Sequence, residues 1–250
     1  MVFITGDTHG NWTRLKHPNF RNYTLTSEDT IIVAGDFGIW DTSARQRREL
    51  NNLARCPYTI LFCDGNHENF DMLENDFPIV DFRGGKAHQI RENIFHLMRG
   101  EVFSIEGKKY FAFGGARSHD IKDGIYDETA FSNRILFEEA IGEARNLGKS
   151  FRINHVSWWK EEMPSEKEMR HGLDTLEQND WKVDYIITHC LPTNIQTVFS
   201  GGRFKSDILT EYFSEVAKKT SFKKWFSGHY HGDYKYDKYQ IVYHLFEPIY

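Results

Sequence analysis

Residues 2–9 read Val-Phe-Ile-Thr-Gly-Asp-Thr-His, and residues 30–36 read Thr-Ile-Ile-Val-Ala-Gly-Asp. Each is a short apolar run, rich in β-branched residues, that stops at glycine and passes at once to an acidic residue. Runs of four or five such residues have strand length, and glycine punctuates them. Thr59 to Cys63 is a third run of this kind, followed by Asp64-Gly65-Asn66-His67-Glu68. Between the second and third runs, Ser43 and Gln46 match a capping box, and Leu50, Leu53 and Ala54 supply a helical apolar stripe. Strand, helix, strand in that order predicts a right-handed crossover and a partly parallel sheet.

Further along, residues 93–98, 101–106 and 109–114 are short strand-like runs joined by Arg99-Gly100 and Gly107-Lys108, which predicts an antiparallel meander. Residues from about 117 to 182 are polar and helix-prone, with a second capping box at Ser165 and Glu168 ahead of Met169, Leu173 and Leu176. A strand at 184–188, a helix bearing Leu209, Tyr212, Phe213 and Val216, a strand near 224–226 and a hairpin reaching His244 complete the pattern. The expectation is one mixed α/β domain over residues 1–250, with a helical insertion at about 117–182 that can act as a lid.

The bulk numbers exclude several classes. A net charge of −5 argues against a protein that coats nucleic-acid phosphates. The apolar runs are too short to span a bilayer, and no secretory-signal order follows Met1. Three cysteines, Cys56, Cys63 and Cys190, suit reduced thiols better than a disulfide framework. A cytoplasmic protein acting on a small anionic partner is the expectation.

The chemistry sits in five clusters. Asp7 and His9 follow the first strand, Asp36 the second, and Asn66, His67 and Glu68 the third. His189 follows the run ending at residue 188, and His229 and His231 follow the one ending near residue 226. Where strands run parallel, their carboxyl ends gather on one rim, and ligands bind there. Two aspartates, four imidazoles and one amide offer oxygen and nitrogen ligands and need no thiolate. That set exceeds what one tetrahedral ion takes, and it suits two ions sharing a carboxylate. Glycine precedes Asp7, Asp36, Asn66 and His229, which lets the backbone turn tightly. Taken singly, each aspartate reads equally well as a turn or cap residue. Five clusters of complementary type, all at strand ends, make that reading poor.

Gly-Asp-Thr-His (6–9), Gly-Asp (35–36), Gly-Asn-His-Glu (65–68), Thr-His (188–189) and Gly-His-Tyr-His (228–231) resemble, in order and spacing, the motif set of the calcineurin-like metallophosphoesterase superfamily. The resemblance implies a four-layer αββα fold, two mixed β-sheets flanked by helices, with a dinuclear site at the sheet edge. It implies a first ion on Asp7, His9, Asp36 and His231, and a second on Asp36, Asn66, His189 and His229. Asp36 would bridge, and His67 would be the catalytic histidine outside the metal shell. Manganese leads the implied metals, with Fe, Zn, Ni or Co as alternatives. A metal-bridging hydroxide would attack phosphorus, the ions standing about 3.5–4 Å apart. A non-catalytic or partner-dependent module on the same scaffold is the competing reading, and the complete ligand set counts against it.

The sequence departs from the family at one point. Many relatives carry an aspartate three residues after the bridging one, where it supports the catalytic histidine; here that residue is Ile39. Asp41 or Glu68 is the candidate substitute. For substrate recognition, Arg117 and His119 can meet a phosphate, Arg117 being equally well an ordinary surface ion-pair partner. Trp158-Trp159 reads better as an anchor for the insertion than as a base-stacking platform. His17, His88, His96, His155, His171 and His244 read as surface or satisfied core residues. The expected substrate is a small phosphorylated molecule, nucleotide-like among the options; long nucleic acids are disfavoured by the charge.

Overall fold

The computed structural model describes residues 1–16 and 23–249; His17 lies outside the described residues. The first half of the chain contains β1 (Val2–Thr5), β2 (Thr30–Ala34), α1 (Ala44–Leu53), β3 (Thr59–Cys63), α2 (Phe70–Asn75), β4 (Ile79–Phe82), β5 (Gly85–Arg91), β6 (Ile94–Leu97), β7 (Glu101–Ile105) and β8 (Lys108–Phe113). The second half contains β9 (Ile125–Tyr126), α3 (Arg134–Asn146), β10 (Arg152–Ile153), α4 (Glu166–Gln178), β11 (Tyr185–Thr188), α5 (Thr193–Ser200), α6 (Ile208–Lys219), β12 (Lys224–Ser227), β13 (Tyr234–Tyr236), β14 (Tyr239–Ile241) and β15 (Glu247–Ile249).

Among the described residues these strands form two large mixed sheets. One runs in the order β15-β1-β2-β3-β6-β5-β4, the other β13-β14-β12-β11-β8-β7. The central pairs of both are parallel: Thr5 stands beside Val33 and Ala34 beside Cys63 in the first, and Thr188 lies between Phe113 and Ser227 in the second.

The two-residue period of the strands sorts their side chains into layers. Val2, Ile4, Ile32, Leu61 and Cys63 face the other sheet and meet Phe103, Tyr110, Ala112, Ile187 and Phe226. Phe3, Ile31, Val33, Ile60 and Phe62 face outward, where Leu50 and Leu53 of α1 and Leu73 of α2 cover them. On the outer side of the second sheet, Phe111, Phe113, Ile186 and Trp225 pack under Leu176 of α4 and Leu209, Phe213 and Val216 of α6. The fold is therefore helix, sheet, sheet, helix, as the resemblance implied.

Helix α4 opens with the capping box at Ser165 and Glu168, both halves formed. Helix α1 forms only half of its box: Ser43 accepts from Gln46 N–H, while Gln46 Oε1 turns away to accept from Trp40 and Asp41 N–H.

The predicted meander is corrected. Only β7 and β8 form the hairpin; β6 belongs to the first sheet, between β3 and β5, so Arg99-Gly100 carries the chain from one sheet to the other. A turn signal marks a change of direction, and whether the next strand pairs back depends on what its far end meets. Here Arg99 is buried against the Asp64 carboxylate, Nε to Oδ2 3.0 Å, which fixes the crossing. The hairpin before His244 is present as β13 and β14, and the chain then returns to the first sheet as β15, antiparallel to β1. Within 117–182, α4 packs into the outer helical layer, and β9 and β10 pair with each other in a parallel two-strand unit. No described helix is long and apolar enough to cross a membrane.

Candidate metal centre

The carboxyl ends of β1, β2, β3, β11 and β12 meet, and the loops after them bring Asp7, His9, Asp36, His189 and His231 of the expected ligands into two groups. His231 Nε2 lies 3.2 Å from Asp7 Oδ2, and His9 Nε2 lies 3.1 Å from His231 Nε2. These three residues place one ligand atom each within 4.8 Å of the others. Asp7, Asp36 and His189 form a second such group, with His189 Nε2 3.3 Å from Asp36 Oδ2. Asp36 Oδ2 also faces His9 Nδ1 at 3.8 Å, so one carboxylate oxygen looks toward both groups.

The backbone at these posts is unusual. Asp7, His9, Asp36, His229 and His231 all have positive φ, between 40° and 69°. Residues other than glycine seldom occupy that region, and each instance costs about 1–3 kcal/mol unless the surroundings hold it. The glycines ahead of two ligands serve another purpose than the expected tight turn. A Cβ on Gly65 would stand 2.0 Å from Asp36 Oδ1, and one on Gly228 would stand 2.1 Å from Asp7 Oδ1. Each glycine makes room for a carboxylate belonging to a different loop.

Hydrogen bonds orient the ligand atoms. His189 Nδ1 donates to Ala34 O at 2.9 Å, which leaves the Nε2 lone pair pointing inward. Asn66 Nδ2 donates to Ser118 Oγ at 3.2 Å, and Ser118 Oγ donates to Glu162 Oε2 at 2.6 Å. Asn66 Oδ1 is buried and has no hydrogen-bond partner, and the buried His189 Nε2 faces the Asp36 carboxylate. Asp36 Oδ1 accepts from His67 N–H at 2.8 Å, and both Asp7 oxygens accept from His229 N–H at 3.0 Å.

The electrostatics agree. Burial alone would raise the Asp36 carboxyl, but His189, His67 and His9 hold it well below the ordinary carboxylate range. Burial alone would lower His189, but the Asp36 carboxylate carries it up to about 10. Two buried carboxylates, Asp36 and Asp7, thus favour positive charge at this point of the site, as a cation-binding pocket does. Burial holds His229 far below the ordinary histidine value. The donor set of carboxylate oxygens, imidazole nitrogens and one amide oxygen fits hard to borderline divalent cations.

The other expected residues are placed as follows. The His229 ring lies against that of His189, centroids 5.0 Å apart, and its Nε2 meets His119 Nε2 at 3.2 Å. His119 thus borders the site, stacked on Phe204. Arg117 is exposed and makes no ion pair among the described residues. His67 packs edge-on to Trp40 and His9. Neither candidate for the missing carboxylate reaches it: Glu68 accepts from Gly38 and Ile39 N–H, and Asp41 accepts from Ser43 N–H. The partner of His67 is Arg152, whose Nη2 lies 3.0 Å from Nε2. Burial, with Arg152 adding to it, pushes His67 down to about 4. No motif surrounds Arg152, so the sequence carried no signal for it. Trp159 anchors as expected, buried in the outer core with Nε1 donating to Asp71 Oδ2 at 2.7 Å. His88 and His96 are buried and stacked beside a cavity of about 640 Å³ that contains none of the expected ligands.

Among solved structures, a phosphopantetheinyl hydrolase from Mycobacterium tuberculosis is similar at 18% identity and a TM-score of 0.42, over 97% of this chain and 87% of that one. No curated protein matches the chain. The family model for calcineurin-like phosphoesterases matches residues 1–233, which takes in every loop of the ligand cluster. A parallel-stranded sandwich that delivers such donors to one edge, under a family match of that length, places this chain in the calcineurin-like phosphoesterase family.

Proposed function

We propose that the chain hydrolyses small phosphate esters at a centre of two divalent cations. Asp7, His9, Asp36 and His231 would hold the first, and Asp36, Asn66, His189 and His229 the second. The observation that carries this reading is the convergence of Asp7, Asp36 and His189 ligand atoms within 4.8 Å of one another, together with the buried Asn66 Oδ1 that has no hydrogen-bond partner. An unpaired buried polar atom is worth about 1–3 kcal/mol of lost stability, which a cation would relieve at Asn66 Oδ1. Manganese is the first choice, ahead of Fe, Zn, Ni and Co, because oxygen and imidazole donors without thiolate suit it.

When bound, the cations supply positive charge for the phosphoryl oxygens and acidify the attacking water. Asp36 offers Oδ2 to both ligand groups while its Oδ1 is pinned by His67 N–H. Asn66, turned by Ser118, adds an oxygen without adding charge. His67 stands outside the ligand groups, and we assign to it the hydrogen-bond contact with the departing oxygen. Arg117 and His119 are assigned to the outer part of the substrate, a small phosphorylated molecule with nucleotides among the options. Cys56, Cys63 and Cys190 are all free, which supports a cytoplasmic setting.

The test is a panel of Mn²⁺, Ni²⁺, Co²⁺ and Zn²⁺ against nucleotides, cyclic nucleotides, dinucleotides and phosphopeptides. Turnover with at least one combination is expected. A chain carrying two ions by elemental analysis and inert toward every substrate would overturn the reading.

A further inference from the structure

The residue next to His67 comes from the insertion. Arg152 is only 8% exposed at its side chain. Its Nε and Nη2 make the two-pronged contact with Asp120, 2.7 and 2.8 Å, and Nη1 donates to Ser157 O at 2.8 Å. The remaining donor face meets His67, with Nη2 at 3.0 Å from Nε2 and 3.4 Å from Nδ1. A fork held by a carboxylate on one side has little rotational freedom left for the other.

The mount is equally fixed. Strand β10 pairs with β9, Ile153 N–H donates to Ser157 Oγ, and Asn154 Nδ2 donates to Asp127 Oδ2 at 2.7 Å. Just beyond, His155 and Trp159 both engage Asp71 at the start of α2, at 2.9 and 2.7 Å. The segment 152–159 is thereby tied to the same element that follows the His67 loop.

We propose that Asp120, Arg152 and His67 form a carboxylate–guanidinium–imidazole chain in which Arg152 is the positioning residue for His67, taking the place left by the carboxylate absent at Ile39. The inference rests on the phosphoesterase reading for its functional meaning. A guanidinium has donors and no acceptor, so the ring nitrogen it meets must offer a lone pair. The closest contact is at Nε2, and Nη1 and Nη2 both stand 3.4 Å from Nδ1, so the guanidinium covers both ring nitrogens. A carboxylate partner would instead accept a hydrogen bond from the ring. In this chain the group that holds His67 is a permanent cation.

The experiment compares wild type with R152A, R152K, D120N, H67A and H67A/R152A. In R152A, kcat on a 4-nitrophenyl phosphate ester should fall about 10–100-fold with KM within about threefold and bound metal unchanged. R152K should behave like R152A, since a point charge lacks the fork. Added guanidinium chloride should restore part of the R152A rate and none of the H67A rate. The double variant should be no slower than H67A, because residues acting as one unit are non-additive. A second readout needs no turnover: the rate at which diethyl pyrocarbonate modifies His67, followed by peptide mass spectrometry. It should rise about fivefold or more in R152A, where the covering guanidinium is gone. Losses that multiply in the double variant, or unchanged His67 modification in R152A, would overturn the proposal. If wild type hydrolyses nothing, the phosphoesterase reading fails by itself and the His67 modification rate alone decides the positioning role.

Discussion

Asp7, His9, Asp36, His229 and His231 hold left-handed backbone conformations side by side, and strain of that kind persists only where neighbours fix it. The neighbours here are His67 N–H on Asp36, His229 N–H on Asp7, and the Cβ-free glycines at 65 and 228. The five residues that the structure gathers into the two groups, Asp7, His9, Asp36, His189 and His231, were legible in the sequence, because strand ends and glycines mark where side chains leave a sheet. What held them was not legible. Ser118 behind Asn66 and Arg152 beside His67 meet their partners only through the fold, and no short-range spacing announces them. Asp36→Ala and His67→Ala should separate the two kinds of residue. We predict that Asp36→Ala loses bound metal in elemental analysis, since its Oδ2 stands between His189 Nε2 at 3.3 Å and His9 Nδ1 at 3.8 Å and is the proposed bridge. His67→Ala should retain the metal while turnover falls about 10²–10⁴-fold. Full activity in His67→Ala would remove that residue from the reaction.

At the scale of elements, the sequence was most informative where strands are β-branched and helices carry their own caps. The bounds of β1, β2 and β3 match the apolar runs, and α4 begins at the expected box. Ser165→Ala should lower stability by about 1 kcal/mol, read as a shifted denaturation midpoint, because Glu168 N–H loses the Ser165 hydroxyl it donates to and Glu168 Oε2 loses that hydroxyl's proton. Partner choice between strands was not legible. β6 pairs with β3 and β5, and β15, with Pro248 at its centre, pairs with β1 across the length of the chain. The β5–β6 pair carries its own pH sensitivity. His88 Nδ1 lies 2.9 Å from His96 Nδ1, and burial, reinforced by His96, holds His88 down at about 4. The unfolded chain therefore takes up this proton below pH 6.5 while the folded chain refuses it until about pH 4. Stability is complete above pH 6.5 and declines as pH falls through that window, by about 1.4 kcal/mol per unit at most. Urea midpoints of metal-free protein at pH 7.5 and pH 5 should drop less for His88→Gln than for wild type. Equal drops would assign the sensitivity elsewhere.

For the whole molecule, the sandwich holds acids and imidazoles close together at one edge, and with these as the proposed ligands metal and fold should stabilise each other. Removing metal with a chelator should lower the melting temperature, and readdition at about a hundred times Kd should restore about 5–10 °C. A melting curve indifferent to saturating Mn²⁺ would mean that the folded chain does not hold the ion in preference to the unfolded one, which would remove the proposed centre. The general architecture, two sheets between helical layers, came from the motif resemblance; the apolar runs alone led only to one mixed α/β domain with a partly parallel sheet. The insertion was legible as a polar interval and not as the carrier of Arg152, because its strand is two residues long and falls below any periodic signal.

The vacancies at Gly65 and Gly228 tie distant parts of the molecule into one mechanical puzzle. A loop transplanted from another protein would have to arrive with a matching hollow. Bringing even an alanine to 228 would wedge the first aspartate of the chain from its post, although the two are far apart in the sequence. Engineering of the rim is therefore a matter of exchanging loops in sets, and single swaps should jam it.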